Sequence, residues 1–162
     1  MWHQDGGVQN RDLETRPRPR LSVKVAYFLT DLGRPGRGNF VVLPGSHRLD
    51  AIDRPIDDGN DVPGAVPILA GPGDAVVFDR RLWHMRSENR SAITRKALFY
   101  AYTYRWIRPR DDLRVPPERL PALSPVRSQL LGAGTGAIGH WMPGEEDVPL
   151  RDRAIGGDGE PG

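Results

Sequence analysis

Alternating apolar and polar residues form the clearest pattern in the first hundred positions of the chain. From Ser22 to Thr30, Val, Tyr and Leu occupy every second position, and Ser, Lys, Ala, Phe and Thr occupy the positions between them. A period of two residues predicts a β-strand with two different faces. Short runs rich in β-branched and aromatic residues predict further strands at Phe40–Leu43, Val66–Leu69, Ala75–Asp79 and Lys96–Tyr104. The pattern therefore predicts an all-β domain in the first part of the chain.

The segments around these strands carry turn and loop signals. The chain contains 19 Gly and 16 Pro, which suits many turns between short strands. Within residues 108–142 we expect a loop and one short helix at Pro125–Leu131. Ser124 is a favourable N-cap, Pro125 suits the first helical position, and Gly132 favours an end to the helix. Residues 143–162 are rich in Gly, Pro and acidic side chains, and we expect them to be a disordered tail.

Composition excludes several classes of protein. The chain has no cysteine, so any metal site must use His and carboxylate ligands. The pI is 9.3, but the net charge is only +2 and the basic residues are scattered, so we expect no nucleic-acid partner. No apolar run approaches the roughly 20 residues that span a bilayer, so we expect no membrane association and a cytoplasmic protein.

Candidate metal ligands lie near the start and the middle of the chain. His3 and Asp5 form a His-x-Asp pair, and His84 follows the strand predicted at Ala75–Asp79. Two imidazoles and one carboxylate match the facial triad of non-haem Fe(II) oxygenases, which leaves coordination positions open. Arg95 precedes the next predicted strand, and a guanidinium there could hold a carboxylate in a bidentate pair. A single His is more often a surface or core residue than a ligand. The three residues together therefore favour a metal site more strongly than any one of them alone.

Together these residues resemble the phytanoyl-CoA dioxygenase family of Fe(II)/2-oxoglutarate oxygenases, over roughly residues 1 to 107. The matching features are His3-x-Asp5, the segment Asn39–Arg48 with its Pro-Gly-Ser-His turn, Gly73-Asp74 with Phe78 and His84, the segment Asn89–Ser91, and Arg95. The resemblance implies a double-stranded β-helix, the jelly-roll or cupin-like fold.

The resemblance also implies roles for individual residues. His3, Asp5 and His84 would bind Fe(II), and Arg95 would bind the C5 carboxylate of the co-substrate 2-oxoglutarate. The family often has a hydroxyl residue two positions after the second histidine. Arg86 occupies that position here and Ser87 follows it, so Ser87 is the candidate for the second 2-oxoglutarate contact. The other reactants would be O2 and a small-molecule substrate.

The start of the chain departs from the family pattern. Family members carry a long segment before the His-x-Asp pair, whereas only Met1 and Trp2 precede His3 here. We therefore expect a jelly roll that is incomplete at its N-terminus, with exposed apolar surface and a tendency to aggregate.

The sequence leaves three hypotheses of function open. The chain could be a 2-oxoglutarate-dependent dioxygenase that hydroxylates a small organic substrate, a catalytically incompetent fragment of one, or a cupin-like module that only binds metal. Arg95 favours the first over the third, because a simple metal-binding module has no need of a carboxylate-binding arginine.

Lys24 and a group of four arginines each allow two interpretations. Lys24 shares a strand face with Ser22 and Ala26. It would meet 2-oxoglutarate or substrate if that face lines the barrel, and solvent if it does not. A denser group beyond the last predicted strand is either surface charge or the rim of an anionic-substrate site; it comprises Arg105, Arg108, Arg110 and Arg114. The substrate and the oligomeric state are not specified by the sequence.

Overall fold

A computed structural model describes residues 1–53, 62–107, 111, 115–132, 142, 144 and 148–150 of the protein. The chain divides into two units, Met1–Thr103 and Tyr104–Gly162. No helix in the described part is long and apolar enough to cross a membrane. Most of the predicted disordered tail at 143–162 lies outside the described residues, as do Arg108, Arg110 and Arg114.

The described chain is mostly β-sheet, in two antiparallel three-stranded sheets. The first sheet has the order β4-β1-β6, with β1 at Ser22–Phe28, β4 at Ala75–Asp79 and β6 at Ala97–Thr103. The second has the order β3-β2-β5, with β2 at Phe40–Val42, β3 at Val66–Pro67 and β5 at His84–Arg86. All five predicted strands are present. The strand β5 was not predicted, because three residues are too short to show alternation.

Short helices complete the two units. The helix α1 spans Gly7–Asp12 and α2 spans Pro125–Leu130, and 3-10 helices span Ser46–Arg48 and Pro117–Ala122. The helix α2 begins as predicted, since the Ser124 hydroxyl accepts a hydrogen bond of 3.3 Å from the Arg127 backbone N–H. The helix α1 was not predicted, because the stretch GVQNRD has no apolar periodicity.

The main core of the first unit lies between the two sheets. Ala26, Phe28 and Phe78 of the first sheet pack there with Phe40 and Val42 of the second. The Lys24 face of β1 is therefore the inner face. The face that carries Val23 and Tyr27 is the outer one, and these side chains are about 40% exposed (41% and 39%). The alternation predicted the strand, but it did not predict which face is buried.

A smaller cluster covers the outer face of the second sheet. Val41 and Met85, which are paired across β2 and β5, pack there against Trp2 and Val62. Burial of Trp2 fixes the first residues of the chain against the strand that begins at His84. The N-terminal segment therefore reaches the sheet that carries the second candidate histidine.

Candidate metal centre

His84 lies at the start of β5 and points into the space between the sheets. It is paired with Val42 on the inner face, and its ring packs against the rings of Phe40 and Phe78 at centroid distances of 5.2 and 5.3 Å. Its Nδ1 donates a 2.8 Å hydrogen bond to the Leu82 carbonyl. Because a carbonyl can only accept, this bond assigns the proton to Nδ1 and leaves the lone pair on Nε2.

His3 is held beside His84 by the backbone. The two residues form an isolated antiparallel bridge, in which each N–H donates to the other carbonyl at 3.0 Å. The His3 Nδ1 donates to the Met1 carbonyl at 3.1 Å, so its Nε2 also carries a free lone pair. The two imidazole rings lie 4.3 Å apart between centroids.

Asp5 supplies a carboxylate to the same place. Its Oδ2 lies 3.6 Å from the His84 Nε2, and its Oδ1 lies 3.1 Å from the Lys24 Nζ. The Oδ2 atom is buried and has no hydrogen-bond partner in the part of the chain that the structure describes. One potential ligand atom from each of His3, Asp5 and His84 lies within 4.8 Å of the others. The structure therefore brings together the three residues that the sequence predicted as ligands.

The electrostatics of this group suit a cation. Burial lowers the pKa of His84 below its usual value, against smaller raising effects of the Leu82 hydrogen bond and of Asp5. At neutral pH His84 is therefore a neutral imidazole, which is the form that binds metal. Its Nε2 lone pair then faces an unpartnered carboxylate oxygen, and a divalent cation between them satisfies both. The donor set of two imidazole nitrogens and one carboxylate oxygen fits iron(II) and its first-row surrogates.

Arg80 supports this segment, and no sequence motif pointed to that role. Its guanidinium is buried and donates to the Pro19 carbonyl at 3.3 Å, to the Asp5 carbonyl at 3.5 Å and to the Asn10 side chain. In return the Asp5 backbone N–H donates to the Arg80 carbonyl at 3.0 Å. Gln4 is also buried, and its amide donates to the Leu49 carbonyl at 2.9 Å. The His-x-Asp segment is thus tied to the fold on both sides of Asp5.

Arg95 and Ser87 lie on a separate cavity of about 470 Å³. The cavity is lined by Gly38, Arg86–Asn89 and Ser91–Arg95. The Arg95 Nε is buried and finds no hydrogen-bond partner among the described residues. Burial, followed by the nearby Arg86, lowers the pKa of this guanidinium from its usual value. Arginine stays charged in proteins even so. The lining residues include two arginines, Arg86 and Arg95, and one acidic residue, Glu88, whose carboxylate is already paired with Arg90. The cavity is therefore suited to an anion.

The three candidate ligands do not line that cavity, but aromatic side chains connect the cavity with the candidate metal centre. The Arg95 guanidinium carbon lies 5.5 Å from the centroid of the Phe99 ring. The Phe99 ring meets Phe40 edge-on at 6.0 Å, and Phe40 in turn packs against His84. Phe99 is paired with Ala26, so it belongs to the inner face of the first sheet.

Comparison with known proteins agrees with this arrangement. The model of the phytanoyl-CoA dioxygenase (PhyH) family matches residues 1–97, which is more than half of the chain. The chain belongs to the phytanoyl-CoA dioxygenase family. The resemblance predicted from the motifs is therefore confirmed, and the matched range contains every candidate ligand together with Arg95.

Two curated dioxygenases are similar to this protein along most of its chain. Dioxygenase cdmD of Talaromyces verruculosus is 30% identical over 155 residues, which cover 91% of this chain and 50% of that protein. Dioxygenase andF of Emericella variicolor is 29% identical over 154 residues, covering 90% of this chain and 52% of that protein. The chain thus spans about half the length of these curated relatives.

One similar solved structure is that of AviO1 from Streptomyces viridochromogenes Tue57. It is 27% identical, covers 72% of this chain and 45% of that one, and superimposes with a TM-score of 0.48.

Proposed function

We propose that this chain carries the iron centre of an Fe(II)/2-oxoglutarate-dependent dioxygenase that hydroxylates a small organic substrate. The observation that carries the proposal is the convergence of one donor atom each from His3, Asp5 and His84 within 4.8 Å. Membership of the family and the dioxygenase names of the matched relatives support it. The two sheets would then belong to a double-stranded β-helix, with the metal between them.

Different residues of this chain would bind the metal and shield it from water. His3, Asp5 and His84 would bind the metal from one side and leave its remaining positions open. Iron(II) held there would couple activation of O2 to decarboxylation of 2-oxoglutarate: CO2 would leave, one oxygen atom would enter succinate and the other would hydroxylate the substrate. Phe40 and Phe78, which flank His84, would keep water away from the metal on the side of the core.

Arg95 would fix the orientation of 2-oxoglutarate through its C5 carboxylate. Its guanidinium can form two parallel charge-assisted hydrogen bonds, which a point-like ammonium cannot match. Ser87 lines the same cavity, and among the described residues its hydroxyl makes only a long hydrogen bond of 3.5 Å to the Glu88 carbonyl, so it is available as a second contact. The unsatisfied Arg95 Nε supports this role over that of a module that only binds metal.

Calorimetric titration of 2-oxoglutarate into the Ni(II)-loaded protein tests the proposal. We expect Arg95→Lys to lower 2-oxoglutarate affinity by more than tenfold, which corresponds to about 1.4 kcal/mol. Ni(II) affinity should not change, because Arg95 is not a metal ligand. The matched control is Arg90→Lys in the same loop, since Arg90 is exposed and paired with Glu88.

The possible outcomes separate the alternatives. Equal 2-oxoglutarate affinity in the wild type and in Arg95→Lys would reject the role of Arg95. Binding of Ni(II) without any binding of 2-oxoglutarate would indicate a cupin-like metal-binding module. Binding of both, but no succinate formation when Fe(II) replaces Ni(II) under O2, would indicate a catalytically incompetent fragment.

A further inference from the structure

Lys24 occupies an unusual position for a lysine, on the inner face of the first sheet. In β1 it is paired with Phe78 of β4 on one side and with Ala101 of β6 on the other. Residues directly opposite in antiparallel strands share a face, so the Lys24 side chain starts from the same surface as buried Phe78. It leads to Asp5, where its Nζ lies 3.1 Å from Oδ1.

The pair is partly shielded from water. The Lys24 and Asp5 side chains are 22% and 21% exposed, so their interaction is screened less than that of a surface ion pair. The structure offers a comparison within the chain, because Lys96, the other lysine of the sequence, is exposed and lies directly before β6. Of the two lysines, Lys24 is thus the one that contacts the candidate metal centre.

Lys24 makes the two oxygens of Asp5 different from each other. Oδ1 is held by the ammonium, whereas Oδ2 lies 3.6 Å from the His84 Nε2 and is buried without a partner. A free carboxylate can turn about its side-chain bonds and offer either oxygen, or both. With Oδ1 already held, Oδ2 is the oxygen that faces the His84 Nε2.

We infer that Lys24 is a positioning residue, which holds Asp5 so that it offers the metal one oxygen, Oδ2. This inference rests on the proposed function, because it gives Asp5 the role of a metal ligand. Hydrogen-bonded partners of ligating carboxylates fix the ligand geometry, and their loss typically weakens metal binding about 10- to 100-fold. One-oxygen binding by Asp5 would also leave one more coordination position of the metal for other ligands.

The test is Co(II) binding, followed by calorimetry and by the visible absorption of the bound ion. We expect Lys24→Met to weaken Co(II) affinity about 10- to 100-fold and to change the intensity of the absorption bands. Lys24→Arg, which keeps a charged donor at this position, should restore most of the affinity. Lys96→Met is the matched control and should bind Co(II) like the wild type.

Each result decides the inference. Wild-type affinity and an unchanged Co(II) spectrum in Lys24→Met would overturn it. Tighter binding would also overturn it, because the ammonium would then compete with the metal for Asp5. If Lys24→Met does not fold, which thermal unfolding of the metal-free proteins would show, Lys24→Gln and Lys24→Arg carry the same comparison. Failure of the wild-type chain to bind Co(II) would instead reject the metal centre itself, and the inference with it.

Discussion

Gly6, the residue directly after Asp5, adopts a backbone conformation that other residues rarely accept. Its φ is +83°, in the left-handed region, and it precedes the first residue of α1. A Cβ at this position would overlap the Arg80 guanidinium, which is buried and bonded to the Asp5 carbonyl. A side chain at Gly6 would therefore strain the backbone and also displace the group that supports Asp5.

We expect Gly6→Ala to lower the free energy of unfolding by about 1–3 kcal/mol, the usual cost of a strained backbone conformation. Ni(II) affinity should fall as well, because movement of Arg80 would release Asp5. The control is Gly7→Ala, since no atom lies within 4 Å of a Cβ added there and the φ of Gly7 is not positive. Urea unfolding and Ni(II) calorimetry on both variants check this. Equal behaviour of the two variants would show that Gly6 has no special role.

Individual residues of the site differ in how far the sequence could predict them. His3, Asp5 and His84 could be predicted as a group, because the spacing of His-x-Asp and the later histidine match a known ligand set. Lys24 could not be assigned, because its interaction with Asp5 depends on which face of β1 lies inside. Arg80 gave no signal at all, since its burial results from the chain segments that fold around it.

At the scale of elements, the strands were predictable and their burial was not. Ala75–Asp79 was predicted with the bounds that the structure has. In β1 the side with more apolar residues is the outer one, because the core is filled from the other side by Ala26, Phe28 and the aromatic residues of neighbouring strands. Alternation predicts that a strand has two different faces. Which face lies inside depends on packing with distant segments of the chain.

Phe40 in β2 joins the two sheets at the candidate metal centre. Its ring packs against Phe78 and Phe99 of the first sheet and against His84 of its own sheet. We expect Phe40→Ala to lower the free energy of unfolding by about 3–5 kcal/mol, as loss of a large core side chain does. Ni(II) affinity should also decrease, because the His84 ring would lose one of its neighbours.

The control for this prediction lies on the outer face of β4. Val77 is 67% exposed, so Val77→Ala should change the free energy of unfolding by no more than about 0.5 kcal/mol. Chemical denaturation of the metal-free variants separates the two effects on stability, and calorimetry then reports the effect on binding. A loss of stability in Phe40→Ala no larger than in Val77→Ala would mean that Phe40 does not join the sheets.

At the scale of the whole molecule, a metal at this site would connect distant parts of the first unit. His3 and Asp5 belong to the N-terminal segment, whereas His84 begins β5 in the second sheet. The backbone bridge between His3 and His84 already joins these segments, and metal coordination would add a second connection between them. Because the unfolded chain does not hold the three ligands together, binding of a metal should stabilise the folded state.

The expected size of this stabilisation follows from mass action. Ni(II) at a hundred times its dissociation constant should raise the free energy of unfolding by about 2.7 kcal/mol. The increase should be absent in His84→Ala and retained in His47→Ala, because His47 lies on the 3-10 helix at Ser46–Arg48 and does not belong to the triad. Thermal unfolding with and without Ni(II) measures this stabilisation. Each variant is compared with its own metal-free state. Stabilisation that persists in His84→Ala would show that Ni(II) binds elsewhere on the protein, and the triad would then lose its assignment as the metal centre.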